Sequence, residues 1–208
     1  MRIDSERIQS EIIQARKRDM KIGLFFGSFN PIHLGHTRLA TYVLAHSDLD
    51  EIWLVLSPNN PLKDANSLMS EELRFRLAVL ALADVEGVTA CDREFSLPKP
   101  NYTVNTLRAL SKEHPQDEFT LIIGSDNMAL FDRWREYQYI LDHYRVLVYP
   151  REGDDLEALQ KRFPQMQVID APLLQISATE IRNRLRENKD VSEWLHPKVE
   201  KALKSQQK

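Results

Sequence analysis

The chain has 208 residues, with 28 Lys and Arg against 31 Asp and Glu, and a single cysteine, Cys91. This length fills one good-sized core and not clearly two. The net charge of −3 provides no basic field for holding long nucleic acid, and the lone cysteine excludes an internal disulfide framework or a Cys-rich zinc site.

Residues 1–20 precede the first strand pattern. Ile8, Ile12 and Ala15 share one helical face, with Arg7, Glu11 and Arg18 largely elsewhere, which reads as a surface helix; contacts in a homo-oligomer are the other use. The charged N-terminus has no apolar core, and no apolar run approaches membrane-spanning length, so a cytoplasmic protein with neither membrane nor nucleic-acid partners is expected. Strands are predicted at Ile22–Phe26, Ile52–Leu56, Val88–Ala90, Phe119–Ile123, Val146–Tyr149 and Gln167–Ile169. Helices are predicted at Leu34–Ala45, Ser70–Ala83, Thr103–Glu113, Tyr137–Asp142, Leu156–Arg162, Ala178–Glu187 and Pro197–Lys204. The alternation predicts an α/β fold: a doubly wound, Rossmann-like parallel sheet in a single domain over residues 1–208, with 176–208 as a small helical cap. Ligands bind beyond the carboxyl ends of such strands, and Gly27, Ser57, Gly124 and Arg151 all follow strand candidates there.

The stretch Gly23–His36, GLFFGSFNPIHLGH, passes from an apolar strand through a Gly/Pro-broken loop into a helix start. Such a start presents unpaired N–H groups and the positive end of the helix dipole, a ready anion site. Gly27 lets the chain turn, Gly35 lets backbone or ligand come close, and Ser28 can reach a phosphate through its amide or hydroxyl. His33 and His36 add donors whose charge can follow a phosphate. The plainer reading is a turn with two solvent-facing histidines. Metal ligation ranks below phosphate contact, because no third ligand stands at metal-site spacing.

A second stretch, ISATEIRNRL at Ile176–Leu185, begins another helix. Ser177 or Thr179 can cap it, and Glu180 stands three residues after Ser177 in a capping-box pattern. Arg182 lies one turn in, where a guanidinium can fork onto phosphate oxygens. Elsewhere, Asp126 follows the fourth strand, where a carboxylate can accept from ribose hydroxyls or cap a helix. Lys63 and Arg151 sit in loops from which either can reach a phosphate or be merely solvated. Tyr102 and Thr103 stand at a helix start able to receive a carboxylate, and Trp134 can stack on a cationic ring or pack in the core. Trp53 and Trp194 read as structural.

HxGH after the first strand and ISATEIR near the C-terminus together resemble the nucleotidylyltransferase superfamily with its HxGH and ISSTxxR signatures, with Ala178 in place of the second Ser. Within it, NYTVNTLRAL (Asn101–Leu110) and TLIIGSDNMALFDRWREYQYIL (Thr120–Leu141) resemble the YTVDTL and GAD…W segments of bacterial nicotinate-nucleotide adenylyltransferases, from Lys21 onward. Asn105 replaces the usual Asp, Ser125 the usual Ala, Leu62 a frequent His, and Arg135 stands where some relatives carry Tyr. The resemblance implies transfer of AMP from ATP to nicotinate mononucleotide, with Mg²⁺ bridging phosphate oxygens. It implies His33, His36 and Arg182 as the catalytic groups: His36 on the α-phosphate, Arg182 on the departing β/γ-phosphates, helped by Ser177 and Thr179. It also favours ligand contact for Asp126, and acceptor contact for Tyr102, Thr103 and Trp134. The alternatives are another HxGH adenylyl- or cytidylyltransferase, with nicotinamide mononucleotide or phosphopantetheine as acceptor, and a noncatalytic nucleotide-binding regulator.

Overall fold

The computed structural model describes residues 19–58, 68–173 and 175–205. Six strands pair in the order β3-β2-β1-β4-β5-β6, all parallel: β1 (Lys21–Gly27), β2 (Glu51–Leu56), β3 (Val88–Cys91), β4 (Glu118–Gly124), β5 (Arg145–Tyr149) and β6 (Gln167–Val168). Among the described residues the helices are α1 (Leu34–Ala45), α2 (Glu71–Leu82), α3 (Thr103–Glu113), α4 (Ser125–Ala129), α5 (Tyr137–His143), α6 (Leu156–Arg162), α7 (Ala178–Arg186) and α8 (Pro197–Ser205). This is the doubly wound α/β sheet that the alternation predicts. No helix among the described residues is long and apolar enough to cross a membrane.

The central strands β1, β2, β4 and β5 are mainly apolar because both sheet faces are covered there, whereas both residues of the edge strand β6 are exposed. Successive side chains enter opposite layers, as the pleat requires. Phe119, Leu121 and Ile123 of β4 join one core layer and Ile122 the other; Val146 and Val148 of β5 oppose Leu147 and Tyr149 in the same way. One layer is closed by Leu39 and Val43 of α1, Leu77 and Ala81 of α2, Ile181 and Leu185 of α7, and Val199 and Leu203 of α8. The other is closed by Val104, Leu107 and Leu110 of α3, with Met128 and Ile140. The C-terminal helices therefore share a core layer with α1 and α2. The Leu34 N–H also donates to the Trp194 carbonyl at 2.8 Å, tying the start of α1 to that region.

From β1 the chain winds outward through β2 to β3, then crosses to β4 and winds the other way. The reversal lies between β1 and β4, so the crevice beyond Gly27 and Gly124 is where such a sheet takes its ligand.

Two local differences from the predicted elements have simple causes. The stretch between β4 and α5 holds α4 and a 3₁₀ turn at Phe131–Arg133, pieces too short to show a helical period. The last strand stops at Val168, although the Ile169 N–H still donates to the Val148 carbonyl at 2.9 Å. Trp53 and Trp194 are structural: the Trp53 indole donates to Glu51 at 3.0 Å, and the Arg184 guanidinium lies 4.3 Å over the Trp194 ring. Leu62, Lys63 and the helical reading of Ile8 to Arg18 fall outside the described residues.

Candidate active site

The loop after β1 folds back on itself. Phe29 has φ +42°, a conformation L-residues seldom adopt, and this turns its buried ring beneath Gly27. That ring meets the His36 imidazole edge-on at 4.9 Å. His33 is the N-cap residue of α1, and its ring stacks on His36 with centroids 3.6 Å apart. The His33 N–H donates to His36 Nδ1 at 3.3 Å. A neutral His36 therefore carries its proton on Nε2, which becomes a donor of fixed direction. Gly35 is tightly enclosed: a Cβ would stand 3.0 Å from the His33 ring and 3.4 Å from Ile176 Cβ, the residue leading into α7.

His33 is only 7 % exposed, and its buried Nδ1 has no hydrogen-bond partner among the described residues. Burial, reinforced by the Arg151 cation, pushes its pKa down to about 4. His33 thus stands neutral near pH 7.

Arg182 reaches back from α7 to the same loop. Its Nη1 donates to the Asn30 carbonyl at 2.7 Å and its Nη2 to Thr179 Oγ1 at 3.1 Å. Burial and the neighbouring Arg186 lower its pKa, but a guanidinium remains charged at any ordinary pH. The capping box expected from Ser177 and Glu180 does not form. Ser177 is the N-cap residue but makes no side-chain cap bond, and Glu180 instead accepts from Arg184 Nε at 3.1 Å. An oppositely charged partner one turn along outcompetes the reach back to the helix start. Thr179 lies inside the first turn, so its hydroxyl serves Arg182 rather than the cap.

At the end of β4, Gly124 is the N-cap residue of α4, which places Asp126 in the first turn instead of at the cap. A Cβ on Gly124 would collide with the Asp126 carboxylate and approach the Tyr149 ring to 3.2 Å. Asp126 Oδ1 lies 3.7 Å from Arg151 Nε. Ser125, where relatives usually carry Ala, is fully buried. Its hydroxyl donates to Asp154 at 2.5 Å and accepts from the Arg151 N–H at 2.8 Å, holding the loop after β5 against β4. A cleft of about 660 Å³ opens beside this loop, between Pro150–Asp154 and Val168–Leu173.

On the opposite sheet face, Tyr102 is the N-cap residue of α3 and makes no side-chain cap bond; Thr103 is the first helical residue. Trp134 is half-buried, its ring 5.0 Å from Phe131, so it packs on the core and also keeps exposed surface. Arg135 joins the two segments, its guanidinium 4.8 Å over the Tyr102 ring.

Two buried charged residues of this region carry no assignment from sequence. Arg74 is fully buried and bonds the loops after β1 and β2. Its signal was present: it shares the apolar face of α2 with Leu77, Ala78 and Ala81. Glu94 is 2 % exposed and accepts from Thr106 Oγ1 at 2.8 Å, and burial raises its pKa. No pattern marks it.

The cytidylyltransferase-like family model matches residues 24–184. A Flavobacterium johnsoniae protein named as a probable nicotinate-nucleotide adenylyltransferase is 44% identical over 181 residues, 86% of this chain and 94% of that relative. A Bacteroides fragilis protein of the same name is 45% identical over 183 residues, covering 88% of this chain and 90% of its own length. In structure, the Plasmodium falciparum nicotinic acid mononucleotide adenylyltransferase, solved in complex with NaAD, superposes with a TM-score of 0.76 at 20% identity, covering 90% of this chain and 96% of that one. At that identity the likeness speaks for the fold.

Proposed function

We propose, from the premise that this chain belongs to the nicotinate-nucleotide adenylyltransferases of the cytidylyltransferase-like family, that His33, His36 and Arg182 carry its phosphate chemistry and that Tyr102, Thr103 and Trp134 hold its acceptor. The enzyme is a nucleotidyltransferase of NAD biosynthesis: AMP passes from ATP to nicotinate mononucleotide, giving nicotinate adenine dinucleotide and pyrophosphate. The observation that carries the site assignment is the bond from Arg182 to the Asn30 carbonyl, which joins two motifs 152 residues apart at one loop.

The nucleophile is a phosphate oxygen, already ionised near neutral pH, so the protein has no proton to remove. It has to align two polyanions and to offset charge on the attacked phosphorus and the leaving group. His36, its Nδ1 committed to the His33 amide, offers Nε2–H to the α-phosphate. Arg182 holds the departing β- and γ-phosphates, with Ser177 and Thr179 beside it. Gly27, Ser28 and Gly35 supply close backbone approach, Arg151 adds a cation from the loop after β5, and Lys63 is the second cation assigned to the phosphates. Gly124 admits the Asp126 carboxylate to the crevice, where it takes the ribose hydroxyls. Mg²⁺ would enter with the nucleotide as part of the substrate and would offset the charge of the polyphosphate. On the acceptor side, the uncapped start of α3 receives the nicotinate carboxylate, and the Trp134 indole stacks on the pyridinium.

Pyrophosphate release tests this reading, measured with ATP with and without Mg²⁺ and with nicotinate mononucleotide, nicotinamide mononucleotide and phosphopantetheine offered separately. Mg²⁺-dependent release with the nicotinate compound is expected. Release with phosphopantetheine alone would overturn the acceptor assignment, and ATP binding without release under any condition would favour a regulator.

A further inference from the structure

We propose that Arg74 is a positioning residue for the polyphosphate: from behind the sheet edge it draws the carbonyls of the β1 and β2 loops inward, so that these loops meet the anion without their negative ends. The inference rests on the reading that the ATP phosphates lie against the loop after β1.

The geometry is specific. Arg74 Nη1 donates to the carbonyls of Ser28 at 2.6 Å and Ser57 at 2.8 Å, Nη2 to that of Pro58 at 2.8 Å, and Nε to that of Met69 at 3.1 Å. All four acceptors are main-chain oxygens, drawn from three separate stretches of chain. The Gly27 carbonyl is withdrawn as well, accepting from the Ser57 N–H at 2.9 Å. Arg74 also reaches the catalytic loop by a relay. Met69, whose carbonyl it holds, donates its N–H to Asn30 Oδ1 at 3.0 Å, and the Asn30 carbonyl receives Arg182.

A fully buried cation is an expensive way to pack a helix against a sheet; a leucine on that face of α2 would avoid the desolvation. What the leucine could not do is choose the direction of four carbonyl groups. A carbonyl oxygen turned toward a triphosphate would repel it, and turning it away only when substrate arrives would cost reorganisation at each turnover. Arg74 fixes that direction in advance, and its planar fork spans both loops where the single point of a lysine ammonium cannot.

The experiment uses the full chain with Arg74→Lys and Arg74→Met, checked for folding by thermal melts. Calorimetry gives the affinity for ATP–Mg²⁺ and for inorganic tripolyphosphate, and kinetics give the KM for nicotinate mononucleotide. Both variants should bind ATP and tripolyphosphate at least about tenfold more weakly, with the acceptor KM within about twofold of wild type, and lysine should not rescue. Folded variants that bind both polyphosphates like the wild type, or that lose donor and acceptor affinity equally, would overturn the proposal. Wild-type protein that binds neither polyphosphate would instead sink the reading on which it rests. Should neither variant fold, amide hydrogen exchange on the wild type decides. Amides at 27–30 and that of Ser57 should be protected before ligand is added; protection that arises only with ATP–Mg²⁺ would contradict preorganisation.

Discussion

The phosphate side and the acceptor side of this crevice are built differently. On the phosphate side the groups are locked by one another: His33 stacks on His36, Gly35 is pressed against the His33 ring, and Arg182 is tied to the Asn30 carbonyl. On the acceptor side Tyr102, Thr103 and Trp134 are only half-buried, and Arg135 stands 57% exposed above Tyr102. The difference follows the chemistry each side serves. Charge that develops in the transition state is offset best by donors that need not move. Recognition of an acceptor ring and its carboxylate asks only for a surface that the incoming molecule completes.

The sharpest way to break this contrast is to remove the most constrained donor. His36→Ala should lower turnover by about a hundredfold, roughly 3 kcal/mol of barrier, with little change in acceptor KM. Steady-state kinetics on the folded variant would show it, and a loss of only a few-fold would mean that the fixed Nε2–H does not face the reacting phosphate.

The second consequence of the locked side is a pH dependence of stability. An unfolded His33 takes up its proton near the ordinary value of 6.5, whereas the folded one stays neutral down to about 4. Between those limits the unfolded chain holds the extra proton, so stability falls as pH drops through the window and is fully present above it. The loss from this one group should reach about 3 kcal/mol. Urea unfolding at a series of pH values, on wild type and His33→Ala, measures it. Identical slopes in the two proteins would show that His33 is not the neutral buried ring described above.

Smaller effects sharpen the comparison from the open side. Trp134→Ala should raise the KM for nicotinate mononucleotide by about tenfold, the scale of a partly desolvated cation–π contact, and leave the KM for ATP nearly untouched. A rise in both would mean that the ring supports the fold and not the acceptor. Ser125→Ala removes two buried hydrogen bonds that hold the loop after β5. It should cost roughly 1–2 kcal/mol of stability in thermal or denaturant melts and weaken ATP binding a few-fold. Unchanged melting would assign that loop's order to Tyr149 and Asp126 instead.

The parts of this molecule that could be read from the sequence are those written in long periods. Leu34–Ala45 and Thr103–Glu113 are helices to the residue, because their apolar spacing runs over three turns, and the central strands stand out because burial on both faces leaves them mainly apolar. The pair His33 and His36 was visible because Gly35 and the preceding strand fixed its setting. What was not visible depends on competition among side chains in space. Ser177 and Glu180 hold the spacing of a capping box, but Arg184 takes the carboxylate. Asp126 follows a strand as an N-cap would, but Gly124 occupies that position. The neutrality of His33 comes from burial and from Arg151, 118 positions further along the chain. Arg74 is the intermediate case: an arginine on an apolar helix face is legible as an anomaly, whereas its four carbonyl partners are set only by the tertiary fold.

A competition between nicotinate and nicotinamide mononucleotides for the same ATP–Mg²⁺-loaded enzyme, read as the ratio of kcat/KM, decides whether α3 and Trp134 form the acceptor site. The uncapped start of α3 offers N–H donors that suit a carboxylate, while an amide brings N–H groups of its own against them. A preference for the acid on the order of 2–4 kcal/mol is expected where that site excludes water, and less where the open rim admits it. Equal values, or a preference for the amide, would contradict the assignment of Tyr102, Thr103 and Trp134 as the acceptor site.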